Sequence, residues 1–142
     1  MPNTTLSAAA RALLESSAVA HLATIDPDGS PQVAIVWVGL DGDEIVSGHL
    51  NPEQRKLRNI RRDPRVTLSI ETDHTNAHGL LEHLVVKGTA RLTEGGAAAL
   101  LQQLAHTYIG PDVRFPPMDD PPPGVVVHIT IDSIGGVGDW AD

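Results

Sequence analysis

Six of the ten Lys+Arg residues in this 142-residue chain are Arg55, Lys56, Arg58, Arg61, Arg62 and Arg65, while the chain as a whole carries a net charge of −8. Positive charge concentrated in one short segment of an acidic protein makes that segment a candidate anion site. The spacing predicts a helix with Asn51 as N-cap, Pro52 in the first helical position and Gln54 as the capping-box partner. Pro64 disfavours helix at Asp63 and should end it there. Leu57 and Ile60 form a narrow apolar seam, Arg55, Arg58 and Arg62 lie away from it, and Lys56 and Asn59 lie on one flank. The free amides of the first turn and the helix dipole add positive potential near Lys56. The chemistry that suits this arrangement is the grip of a phosphate by Lys56, Arg55 and backbone N–H groups. The competing reading is a solvated basic face with no ligand.

No other residues mark a catalyst. There is no GxSxG elbow, no HExxH pair, and no GxGxxG or GKS/T loop. Seven histidines, His21, His49, His74, His78, His83, His106 and His128, lack the spacing of a zinc site and read as ordinary surface or strand residues. Nothing singles out a carboxylate pair. A cofactor that carries its own reactivity needs only a binding site and an orienting surface, and this chain fits that description. Trp37 lies in a very apolar strand and suits either the core or a stack on a planar ligand. Trp140, near the C-terminus, suits a cover over a ligand or partner, or a frayed tail.

The elements that must position these residues alternate between strands and helices. Leu6 to Ser17 has helical spacing of Leu6, Ala9, Ala10, Leu13 and Leu14. Ala18 to Ile25 reads as a strand, followed by the turn Asp26-Pro27-Asp28-Gly29-Ser30. Gln32 to Val38 is apolar enough to expect cover on both faces. Asp41-Gly42-Asp43 is a hairpin turn, and Glu44 to His49 feeds the basic helix. Val66 to Glu71 alternates cleanly, whereas Thr72 to Gly79 is polar and patternless. Leu80 to Thr93 contains a long strand, in which Gly88 suggests a bend or bulge. Glu94 to Tyr108 is a second amphipathic helix, with Leu100, Leu101, Leu104 and Tyr108 as its apolar positions. Gly110 to Gly124 is a Pro- and Asp-rich loop, Val125 to Ile131 the last strong strand, and Asp132 to Asp142 a Gly-rich tail. Six or so antiparallel strands with flanking helices close most readily into a barrel.

The length suits one domain with a single core, spanning 1–142. No apolar run is long enough to span a bilayer, and MPNTTLSAAARALLESS lacks the basic start and apolar core of a signal peptide. Without cysteine there is no disulfide framework or thiolate site. A cytoplasmic protein is expected. The negative charge and few aromatic residues argue against nucleic-acid binding.

Three stretches, PDGSPQVAIVW, EIVSGH and RKLRNIRRDPRVTLSIE, together resemble the split β-barrel proteins related to pyridoxamine 5'-phosphate oxidase. The run Lys56, Asn59, Asp63, Pro64, Arg65, Val66 is most similar to the branch that uses the deazaflavin coenzyme F-420. The resemblance covers about Leu13 to Ile131. It implies an α+β, FMN-binding-protein-like split β-barrel, acting as a homodimer with cofactors in grooves at the subunit interface. It implies that Lys56 contacts the cofactor phosphate, with Arg55, Asn59 and Arg62 near the phosphate or the acidic tail of F-420. By the same resemblance Val36 and Trp37 pack near the ring system and Ser47 approaches the cofactor. The activity implied is an F-420-dependent reductase passing a hydride to an unsaturated small molecule. The alternatives are an FMN-dependent oxidoreductase of the same fold and a non-catalytic protein that binds a flavin or deazaflavin. The extra arginines favour F-420, whose tail carries several carboxylates. The C-terminal SIGGVGDWAD lacks the Arg-x-His substrate motif of pyridoxamine-phosphate oxidases, so that activity is not expected.

Overall fold

The computed structural model describes residues 6–141. Its elements run α1 (Ala8–Leu14), β1 (Ala20–Ile25), β2 (Pro31–Val36), β3 (Gly39–Asp41), β4 (Glu44–His49), α2 (Arg55–Arg62), β5 (Arg65–Thr75), β6 (Leu81–Glu94), α3 (Ala97–Tyr108) and β7 (Val125–Val137). The strands form one antiparallel sheet in the order β2-β1-β5-β6-β7-β4-β3.

β2 and β3 stand at opposite edges of that sheet, yet only Trp37 and Val38 separate them in sequence. Seven flat strands would hold their edges roughly 29 Å apart at the usual spacing. Three consecutive Cα steps reach about 11 Å. The sheet therefore curls until its edges lie side by side without a ladder between them, which is a split barrel. Tyr108, at the end of α3, closes the seam. Its hydroxyl accepts from the Val38 N–H at 3.1 Å and reaches the carbonyl oxygens of Ala18 at 3.0 Å and Val38 at 3.2 Å. These are backbone groups that the missing ladder would otherwise leave open.

The strands alternate as a barrel requires. Leu22, Leu68, Ile70, Leu84, Val127 and Ile129 point inward and are essentially inaccessible. Gly88 sits at a register shift between β6 and β7, as its position in the strand suggested. A Cβ there would come within 2.6 Å of Ile129 Cγ2 and the Thr130 carbonyl oxygen. α1 begins at Ser7, whose hydroxyl accepts from the Ala10 N–H at 3.1 Å, and seats Ala10 and Leu14 in the core.

Four expectations change. The helix expected from Pro52 begins instead at Arg55, with Gln54 as an N-cap that makes no side-chain bond. Asn51 caps a separate turn, its Oδ1 accepting from the Glu53 N–H at 3.0 Å. β2, expected to be covered on both faces, is an edge strand whose Val33 and Ile35 are 60% and 63% exposed. β5 runs on to Thr75 through residues expected to be irregular, and β7 runs to Val137 through the glycine-rich tail. Both extensions pair with β6, the longest strand at 14 residues.

Candidate functional site

α2 is fixed on the barrel by one polar cluster. The Asp26 carboxylate, at the end of β1, accepts from Arg55 Nε at 2.9 Å, Arg55 Nη2 at 2.6 Å and Asn59 Nδ2 at 2.9 Å. Asn59 also donates to Thr24 Oγ1 at 3.0 Å, and Thr24 bonds Gln32 of β2 at 3.0 Å. The Asn59 hydrogen bond first, and then Arg55, hold the Asp26 pKa below the ordinary carboxylate value. With Leu57 and Ile60 buried on the same helix, its rotation is set. Lys56 is then turned to the other side, toward β4 and β2.

There Lys56 lines a cavity of about 220 Å³ with Val36, Trp37, Gly48, His49 and Phe115. Lys56 is half-buried and burial lowers its pKa. It makes no hydrogen bond or ion pair among the described residues. His49 is 7% exposed, and its Nε2 lies 2.9 Å from Ser47 Oγ. Burial, followed by the charge of Lys56, pushes its pKa down to about 4, so the imidazole is neutral at pH 7. Gly48 allows α3 to lie directly on β4, since a Cβ there would stand 3.1 Å from the Ala97 carbonyl oxygen. No side chain caps the first turn of α2, and the Gln54 side chain faces His49, on which it acts weakly to raise the pKa against burial and Lys56.

The remaining basic residues are mostly engaged by the protein itself. Arg55 is held by Asp26, and Arg61 donates to the Pro52 carbonyl oxygen at 2.8 Å. Arg62 bonds the Ile25 carbonyl oxygen and Asn59 Oδ1, and Arg65 pairs with Asp63 at 2.8 Å. Arg58 has no such partner among the described residues. It lines a separate cleft of about 420 Å³ with Pro27, Arg55, Asn59 and Arg62.

Thus the structure brings Lys56, Val36 and Trp37 to one cavity, while Ser47 does not line it and meets it only through its bond to His49. Arg55, Asn59 and Arg62 lie together at the second cleft, with the Asn59 amide and both arginines bonded within the chain. Sequence reasoning missed His49, Leu101 and Phe115 as cavity walls. Period-two spacing puts His49 on the face of Ser47 and was the available signal for it. Phe115 lies in a loop with no periodicity and gave none. Trp37 stacks on Tyr108, with centroids 5.3 Å apart and planes at 9°, and meets Phe115 at 5.2 Å and 57°.

Trp140 is not frayed: its Nε1 donates to the His83 carbonyl oxygen at 3.0 Å and its ring packs on the core. A larger hollow of about 690 Å³ lies between α1 and Trp140, rimmed by Glu71, Asp73, Glu82 and Asp139. It has no Lys or Arg in its wall and does not suit a phosphate. No group of three or more metal-ligating side chains gathers among the described residues. No helix among them is long and apolar enough to cross a membrane.

A seven-stranded antiparallel sheet curled until its edge strands meet, with three flanking helices, defines a split-barrel protein. The profile of the pyridoxamine 5'-phosphate oxidase family matches residues 6–138, and the chain belongs to that family. The family includes oxidoreductases and binds flavin-type cofactors. Among solved structures, an F-420 reductase is 29% identical, with 88% of this chain and 94% of that one covered and a TM-score of 0.72. A conserved hypothetical protein of Mycobacterium tuberculosis is 24% identical over 94% and 88% of the two chains, with a TM-score of 0.69. HupZ of Group A Streptococcus is 18% identical over 97% and 98%, with a TM-score of 0.67. The last two show the fold alone.

Proposed function

We propose that this protein is an oxidoreductase dependent on the deazaflavin coenzyme F-420, acting on an unsaturated small molecule. One observation carries the reading. Lys56 is half-buried, has no counter-charge among the described residues, and faces a cavity beside the uncapped first turn of α2. A partly desolvated ammonium without a partner is unfavourable unless an anion meets it, and a helix start is a favourable place for a phosphate. Lys56 and the first-turn amides would hold the phosphate, and Val36 and Trp37 would lie beside the ring. The likeness to an F-420 reductase supports the same reading.

When bound, the reduced cofactor supplies a hydride to the acceptor, and a solvent proton completes the two-electron reduction. The residues of this chain bind, orient and exclude water. His49, neutral and held by Ser47, offers a hydrogen-bonding group at the cavity wall without adding charge. Arg58, in the cleft it lines with Asn59, has no ion pair among the described residues and would be available to the acidic tail of the cofactor.

A second reading is favoured by the engagement of the other arginines. With Arg55, Arg61, Arg62 and Arg65 bonded within the chain, less free charge remains for a polycarboxylate tail, and a single FMN phosphate at Lys56 needs none. Fluorescence titrations with F-420 and with FMN, side by side, separate the two. Tight binding of F-420 alone supports the first reading, and tight binding of FMN alone replaces it with the second. Turnover of any acceptor with stoichiometric cofactor excludes a protein that only binds.

We also propose a homodimer in which a second copy covers β2. Exposed Val33 and Ile35 on this edge strand support it, because an apolar sheet edge left open invites pairing or burial. Sedimentation as a monomer at micromolar concentration would end this proposal.

A further inference from the structure

The Pro-rich loop joins the cavity through a single side chain. Three of the four aromatic residues in the chain, Trp37, Tyr108 and Phe115, meet at one place. Trp37 has one face covered by Tyr108, and Phe115 is tilted 57° to it. The two rings therefore form a corner, and a flat molecule cannot lie against both at once. Lys56 of α2 and Gly48 and His49 of β4 line the same cavity. Phe115 thus brings the loop into the wall of that cavity.

That boundary is held in place. Gln102 of α3 uses both ends of its amide, donating from Nε2 to the Val113 carbonyl oxygen and accepting at Oε1 from the Phe115 N–H, each at 2.9 Å. Six of the eleven prolines in the chain fall between Gly110 and Gly124 and restrict the loop further. Arg114 ties the other end of the turn, donating to the Met118 carbonyl oxygen at 2.9 Å and to Asp119 at 2.8 Å. A loop with so much fixed backbone presents its one cavity-facing aromatic side chain as a wall and not as a mobile flap.

We propose that Phe115, clamped by Gln102, is a specificity-determining residue that limits the width of the acceptor admitted beside the cofactor. The inference rests on the reading of the cavity as the cofactor site. Such an apolar wall discriminates through shape, because the space it occupies is removed from any larger ring system.

The test is equilibrium binding by calorimetry, using conjugated cyclic ketones of one, two and three fused rings, for wild type, Phe115→Ala and Phe115→Leu. Titrations are run on the protein alone and with F-420, and F-420 affinity is measured separately. Wild type is expected to favour the one-ring ketone. Phe115→Ala should shift the three-ring to one-ring affinity ratio by about tenfold or more, with F-420 affinity nearly unchanged. Phe115→Leu, which keeps an apolar contact with Trp37, should fall between the two. A ratio that stays the same in both variants overturns the inference, as does an F-420 affinity that falls in parallel with ketone binding. Failure of wild type to bind F-420 is a failure of the cofactor reading, while the ratio on the protein alone still judges the role of Phe115. Gln102→Ala, which touches no ketone, should relax the same ratio, and an unchanged ratio there removes the clamp from the account.

Discussion

Lys56 and His49 line the same cavity, and the charge of the lysine adds to burial in holding the imidazole neutral, with its pKa pushed down to about 4. In the unfolded chain the same ring takes a proton near 6.5. Between these values the unfolded state binds more protons, so stability rises with pH through the window and is flat above it. Acidification from pH 6.5 to 4 should remove about 3 kcal/mol. Urea midpoints measured in steps across that range should show the slope, and His49→Gln should flatten it. Asp26 and Asp63 act in the same direction but below their ordinary value of 3.8, outside this window. An unaltered slope in His49→Gln assigns the acid sensitivity elsewhere.

Removing Lys56 should separate binding from folding. Lys56→Met leaves no partner stranded, so the stability of the protein without cofactor should change by about 0.5 kcal/mol or less. Cofactor affinity should fall by about 1–3 kcal/mol, the range for a charge-assisted contact. A fluorescence titration beside a thermal melt reads both. A large drop in Tm with full affinity would make Lys56 a structural residue.

Asn59 should behave in the opposite way. It is 2% exposed and its amide joins Thr24, Asp26 and Arg62. Asn59→Ala strands buried polar atoms and should cost about 2–3 kcal/mol in urea denaturation. Because α2 carries Lys56, cofactor affinity should weaken as well. Unchanged stability would mean that Arg55 and Asp26 alone fix the helix.

Tyr108→Phe keeps the ring on Trp37 and removes only the hydroxyl at the seam. The Val38 N–H then loses its acceptor, and about 1–3 kcal/mol of stability should go with it. Hydrogen exchange at the Val38 amide should quicken by more than the global loss accounts for. Equal changes at Val38 and throughout the core would deny the seam any local stability.

The fold was legible in the sequence where side-chain pattern and pairing coincide. β1 and the first half of β5 alternate, and the turns after β1 and before β4 carry Gly and Asp in the expected places. The start of α2 was not legible, because an Asn before Pro suits an N-cap and a separate turn equally. Its Oδ1 accepts a backbone N–H in either case. The ends of β5 and β7 were hidden because β6 imposes their pairing through backbone bonds that glycine and polar residues satisfy as well as valine. The exposure of β2 was misread for a related reason. An apolar run reports that a surface is to be covered, and in a single chain nothing covers Val33 and Ile35. At the candidate site, Lys56 was legible through local charge, whereas Phe115 reaches the cavity through a clamp from a residue 13 positions away.

The order of strands in the sheet has a consequence for how the protein comes into being. β4 carries Gly48 and His49, which line the cavity, and its sheet neighbours are β3 and β7. β3 has only three residues. The partner that holds β4 in place is therefore β7, through the register His49↔Val125 to Ile45↔Ile129. On a ribosome, Lys56 is made early, but β4 lacks its long sheet partner until residues 125–129 have emerged. A nascent chain stalled before them has the basic segment without the strand that completes β4, so under the proposed function cofactor capture would report that synthesis has passed the last strand.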